Sequence, residues 1–232
     1  MVAELESDML TLKEEPHMMI PGGLKEGGTS FEGHGFFEAS SMRKVSEKYY
    51  FVYSSKLSHE LCYAVSDYPD REFTFGGTLI SNGDIGYEGN QEPHNMMGNN
   101  HGGMVKANGQ WYIFYHRQTH GTESSRQGCA EKITIQEDGS IKQVEMTSCG
   151  LNKGGLSDKG TYPAAIACNL MGKDSIGKIT YGASLKDTQP YIFEENNDLH
   201  YIANIGDGVV VGYKYFAVEK LSKVVLCLRG DA

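Results

Sequence analysis

Glu38 and His101 are two proton-handling side chains that lie 63 residues apart, yet hold corresponding places in an internal repeat. Residues 47–54 (EKYYFVYS) align with residues 109–116 (GQWYIFYH) at an offset of 62. With one gap, the preceding segments align as well, 37–42 with 100–104, and this sets Glu38 over His101. A unit of roughly 60 residues with about four strands is the size of a large propeller blade. The first strand of each blade lines the central channel, so equivalent positions of successive blades converge on one pocket. Glu38 and His101 should therefore be neighbours in space. Other chemistry is poorly supported. His116 and His120 have the i, i+4 spacing of a zinc pair, but they fall on a strand and a turn, not a helix. Five cysteines, odd in number and without a CxxC pair, fit neither a zinc knuckle nor a disulfide framework. They read as small buried apolar residues in a reducing compartment.

The elements that must position these residues are strands. The chain has 232 residues, of which 29 are Gly, 14 Tyr and 6 Pro. Each Gly inside a helix costs about 1 kcal/mol against Ala, so this composition opposes a helical bundle. With 39% apolar and 22% charged residues, a real core can be buried. Period-two alternation predicts strands over 48–54, 59–66, 73–80, 104–106, 111–116, 128–136 and 141–147, with a turn at 137–139. Residues 81–100, rich in Gly and Asn, read as a long loop. No helical stripe exceeds about ten residues, so the fold class is all-β. Residues 151–160 (LNKGGLSDKG) have the composition of a linker. Beyond them, 162–170 opens a new apolar stretch, and 201–216 and 223–229 look like strands of an unfinished β-sandwich. A net charge of −9 argues against nucleic acid as a partner. No apolar run approaches the ~18 residues of a membrane span. Residues 1–12 lack the basic and apolar regions of a signal peptide, so the chain as given reads as cytoplasmic.

Three motifs, in order between residues 31 and 141, carry a resemblance. They are 31–44 (FEGHGFFEASSMRK) followed by 48–55 (KYYFVYSS), 99–103 (NNHGG) followed by 110–117 (QWYIFYHR), and 125–131 (SRQGCAE) leading into 137–141 (EDGSI). Together they resemble family 43 glycoside hydrolases. The resemblance implies a five-bladed β-propeller that cleaves arabinosyl or xylosyl linkages of plant hemicellulose with inversion. Five blades of about 60 residues need roughly 300 residues, so residues 1–150 would hold about three of them as an incomplete propeller. Residues 201–216 and 228–230 resemble, more weakly, a family-6 type carbohydrate-binding module. Residues 161–232 would then be part of that sandwich, behind the 151–160 linker.

Inversion needs one acid at the leaving oxygen and one base on water across the ring. By the resemblance, Glu38 is the general acid, and the flanking Phe36 and Phe37 would shield it from water, which favours a protonated carboxyl. The plain alternative is a strand-end carboxylate paired with Arg43 or Lys44. His101 matches a channel histidine that often contacts calcium through water; no cofactor is required. Arg126 matches an arginine that reaches into the pocket, where a fixed cation orients carboxylates and hydroxyls. His34, Phe37, Asn99 and Asn100 are implied sugar contacts. The family's base and its companion aspartate belong to blades upstream of the acid. Their motifs are missing here, and Asp8 is the sole upstream aspartate, at a place between blades. A single polypeptide of this kind should be weak or inactive on its pentose-containing oligosaccharide or polysaccharide. A non-catalytic carbohydrate-binding protein is the alternative. Unpaired blade edges would favour a homo-oligomer. The 81–100 loop is where xylosidase, arabinofuranosidase and arabinanase differ, and it does not say which applies.

Overall fold

The computed structural model describes residues 1–173, 189–196 and 199–230. It is all-β, with single 3-10 turns at Tyr87–Gly89 and Ala164–Ile166. Strands β1 (Phe36–Val45), β2 (Lys48–Ser55), β3 (Glu60–Ser66) and β4 (Thr74–Ser81) form an antiparallel meander in chain order. Alternation on β2 and β3 serves two cores at once. Tyr50, Val52, Leu61 and Tyr63 face one cluster, while Phe51, Tyr53, Cys62 and Ala64 face the other. Both faces are covered, so these strands read as nearly continuous apolar runs. Each large side chain buried this way contributes about 1.5–3 kcal/mol.

The first cluster is closed by a second sheet, β5 (Gly103–Ala107), β6 (Gln110–Gln118) and β7 (Arg126–Ile133), through Met104, Ile113, Tyr115 and Ile133. The second cluster is closed by Ile20 and Phe31 from the segment before β1. Arg43 links the sheets, its Nε donating to the Met104 carbonyl at 2.9 Å. Gly76 lies flat against the ring of Tyr63, where any Cβ would collide with it. The Tyr63 hydroxyl, so placed, accepts from the Ile141 amide at 2.8 Å.

Residues 141–147 depart from expectation, since they form no strand beyond a single bridge between Ile135 and Ile141. Their amides bond elsewhere: Val144 to the Leu79 carbonyl at 2.9 Å, Met146 to Asp84 at 2.7 Å and Thr147 to Glu131 at 2.6 Å. Ile141 and Met146 are buried in the same cluster although five residues apart, an interval that alternation would put on opposite faces, and side-chain acceptors take the amides of Ile141, Met146 and Thr147.

The later residues form short pairs. β8 (Leu156–Ser157) lies parallel to β13 (Phe216–Ala217), β9 (Asn169–Met171) antiparallel to β12 (Val210–Gly212), and β10 (Tyr191–Asn196) antiparallel to β11 (Leu199–Ala203). The expected linker thus contributes one strand, β8, and 201–216 breaks into several pieces. Residues 223–229 carry no strand; Val224, Val225, Leu226 and Leu228 are exposed. Buried Arg117 of β6 ties this part to the second sheet by donating to the carbonyls of Ala165 and Ala167. Among the described residues no sheet closes on itself, and no helix is long and apolar enough to cross a membrane. All five cysteines are free; Cys62 and Cys168 are buried as expected, but Cys227 is exposed.

Candidate functional site

Glu38 sits where the β1–β2 register slips on either side of it. Such a bulge re-aims a side chain relative to regular alternation. The next residue, Ala39, has φ 60, a left-handed conformation rare outside glycine. His101 ends the long loop just before β5. Gly102 beside it passes so close to β6 that a Cβ would collide with the Phe114 carbonyl oxygen. These two local devices bring the side chains together: His101 Nε2 lies 2.7 Å from Glu38 Oε1. The partners proposed in the plain alternative are engaged elsewhere, Arg43 with the carbonyls of Met104 and Met42, Lys44 with Glu47.

His116 of β6 stands opposite His101 by extension of the Gly103–Phe114 register, as Ser54 stands opposite Glu38. Its ring meets His101 edge-on, with centroids 5.1 Å apart at 73°. Burial, then the positive charge of Arg126, then His101 push the His116 imidazole down to about 4, with Glu38 opposing. His116 is therefore neutral at physiological pH, and Arg126, exposed at the start of β7, is near enough to act on it. Both ring nitrogens of His116 are buried without a protein partner. Beneath them Asn100 is fully buried, its Oδ1 3.5 Å from the His116 amide and its Nδ2 unpartnered. Buried polar atoms of this kind are commonly met by ordered water or a bound group.

Glu38, His101 and Arg126 thus form one neighbourhood with Asn100 at its base. Asn99 is held at its edge, its carbonyl and Oδ1 accepting from Gln118 at 2.7 and 2.8 Å. Phe37 is 58% exposed, and Phe36 packs against Phe51 and Tyr53, so the expected apolar cover does not form over Glu38, whose side chain is 39% exposed. His34 belongs to another network. Its Nδ1 is 2.7 Å from Glu60, and its ring stacks on Phe75 at 4.7 Å. Burial raises the Glu60 carboxyl, but hydrogen bonds from His34, Ser55 and Thr78 outweigh it and hold Glu60 near 2. The same bond raises the His34 imidazole. His34, Glu60 and Cys62 come within metal-ligand reach of one another, yet three donors already occupy the carboxylate.

The residue that the sequence reading passed over is His116, weighed there only as a zinc ligand. Its supposed partner His120 turns away, onto Phe193 at 4.6 Å and Ser125 at 2.9 Å. The signal for its place was in the repeat, which aligns His116 with Ser54. The metal-ligating groups around His101 are the Glu38 carboxylate and the imidazoles of His101 and His116. Calcium takes about six to eight oxygens, so an ion here would draw most of them from water.

The sequence profile of glycosyl hydrolases family 43 matches residues 1–141. A xylosidase/arabinosidase of Thermoclostridium stercorarium is 48% identical over 238 residues, covering 99% of this chain and 50% of that protein. A beta-xylosidase of Xylanibacter ruminicola is 36% identical over 119 residues, covering 50% of this chain and 33% of its own. The chain thus spans about half the length of the first relative and a third of the second. The solved GH43 beta-xylosidase/alpha-arabinofuranosidase from a compost microbial metagenome, in complex with xylotriose, is 28% identical. It covers 61% of this chain and 41% of its own, with a TM-score of 0.48.

Proposed function

From a chain that belongs to glycosyl hydrolases family 43, we propose that Glu38 is the general acid of an inverting hydrolase of xylosyl or arabinosyl linkages in hemicellulose. The observation that carries this reading is the 2.7 Å contact between Glu38 of the first sheet and His101 of the loop that leads into the second. An inverting site pairs an acid with a base about 6.5–9.5 Å away across the sugar. Glu38 keeps enough exposure to meet a ligand oxygen, His101 fixes its rotamer, and Arg126 supplies a cation for ring hydroxyls. The names of the similar proteins, xylosidase/arabinosidase and beta-xylosidase, support a pentose-containing substrate. Residues 1–150 are read as about three blades of a five-bladed propeller, and 161–232 as part of a carbohydrate-binding sandwich. Calcium held through water at His101 is an optional companion, and no cofactor is required. The exposed apolar residues near Leu226 favour pairing of two copies.

The base is not among the residues that the site assembles. Asp8 is exposed, and its carboxylate accepts from the amides of Leu10 and Thr11 and the Thr11 hydroxyl. This favours, as the second reading, sugar binding without cleavage by these residues alone. Hydrolysis of aryl arabinofuranoside and aryl xyloside, with Glu38→Gln as control, separates the two. Slow or absent turnover is expected. Robust turnover that Glu38→Gln abolishes would show that the base lies within this chain after all.

A further inference from the structure

A cleft of about 470 Å³ opens where the second sheet meets the residues that follow it. Its size falls in the range of about 300–1,000 Å³ common for small-ligand sites. It shares no lining residue with the Glu38 group. Glu131 in its wall and Arg126 at the other site lie five residues apart on β7, which is about 17 Å at ~3.4 Å per residue. We propose that this cleft is a second binding site for a neutral oligosaccharide of the same pentose class. The ligand class rests on the reading of the Glu38 site as a sugar site.

The chemistry of the lining argues for such a ligand. Tyr87 comes from the long loop and Tyr215 from the C-terminal part, and Tyr215 is 54% exposed. Tyrosine rings combine an apolar face, suited to the C–H face of a sugar, with a polar edge. Gln143 and Asn152 bring amides, the groups that bond hydroxyls, while the carboxyl groups of Glu131 and Glu145 are already engaged by Thr147 and by Lys214 and Tyr215. Lys132 is the one cationic side chain in the wall, and Lys214 behind the wall is already bonded to Glu145 and Asp84, which disfavours an anion. The walls are held in place before anything binds. Tyr215 donates to Glu145 at 2.6 Å, and Lys214 bonds Glu145 at 2.8 Å and Asp84 at 3.2 Å. Gln143 donates to the Ile85 carbonyl at 2.8 Å. Side chains fixed in this way lose little freedom on binding.

Isothermal titration of the full chain with xylo- and arabino-oligosaccharides tests the assignment, comparing Tyr215→Ala, Gln143→Ala and Arg126→Ala, with Tyr215→Phe as the variant that keeps the ring. Loss of one binding component, or weakening of at least about tenfold, is expected for Tyr215→Ala and Gln143→Ala, with Tyr215→Phe close to the parent. Arg126→Ala should leave that component in place. If the Tyr215 and Gln143 variants titrate like the parent while Arg126→Ala loses binding, the cleft assignment fails and the Glu38 reading stands. If Arg126→Ala changes nothing while Tyr215→Ala abolishes binding, the cleft stands and the Glu38 reading fails. Absence of binding by the parent overturns both.

Discussion

Replacing Glu131 by Gln should change how the stability of this protein depends on pH. Glu131 is buried on β7. Its Oε1 accepts from the Thr147 amide at 2.6 Å and the Tyr115 hydroxyl at 3.3 Å, and its Oε2 from the Thr147 hydroxyl at 2.7 Å. Burial raises its carboxyl from 4.5 to about 7, against the pull of those hydrogen bonds. Well below pH 4.5 the group is protonated in folded and unfolded chains alike and adds no pH dependence. As the pH rises from 4.5 towards 7, the unfolded chain ionises while the folded chain keeps its proton, so stability falls. Above about 7 the loss is complete. At about 1.4 kcal/mol per pH unit, the interval amounts to about 3 kcal/mol. Gln keeps the oxygen that faces Thr147 N and presents an amide to the Thr147 hydroxyl, so its cost is a constant offset. Thermal or urea unfolding of parent and Glu131→Gln between pH 4.5 and 8 reads the difference. The variant should gain about 3 kcal/mol on the parent across that window, or roughly 6–12 °C in Tm for a chain of this size. Asp84, also raised by burial, is present in both proteins, and its charge adds to the rise at Glu131. Parallel pH curves would refute the reasoning.

Two further substitutions probe how the site is held. Gly102→Ala sets a methyl group against the Phe114 carbonyl, so it should cost about 1–3 kcal/mol by overpacking and weaken sugar binding with it. A melt and a sugar titration unchanged from the parent would mean that Gly102 does not fix His101. Arg117→Ala removes the donor from two carbonyls, Ala165 and Ala167, at about 1–3 kcal/mol for each group left unpaired. Hydrogen exchange of residues 163–171 should speed up more than that of β2 and β3, and equal acceleration of both would contradict a local clamp.

Much of the fold could be read because alternation on β2 and β3 is enforced by two cores, and side chains such as Tyr50 and Phe51 have no choice of face. The Glu38–His101 meeting was legible through the repeat, since equivalent strand positions must converge. His34 was not, because closeness in the chain to Glu38 says nothing about direction: the ring is drawn away by Glu60, a buried carboxylate 26 residues on. Asn100 has the polarity of a sugar contact but lies fully buried under His116, and residue type does not reveal burial. The stretch 141–147 alternates like a strand, yet Asp84 and Glu131 replace a neighbouring strand as acceptors. Such acceptors are brought in by tertiary packing, which periodicity does not encode.

The central claim is that Glu38, His101 and Arg126 form one face of a pentose-binding acid site. NMR of the imidazole resonances of His101 and His116, during titration with xylotriose and with arabinotriose, tests it without reliance on turnover. A saturable shift of the His101 signals is expected with one of the two sugars, and it weakens in Arg126→Ala. Imidazole signals that stay in place when both sugars are in large excess would contradict it.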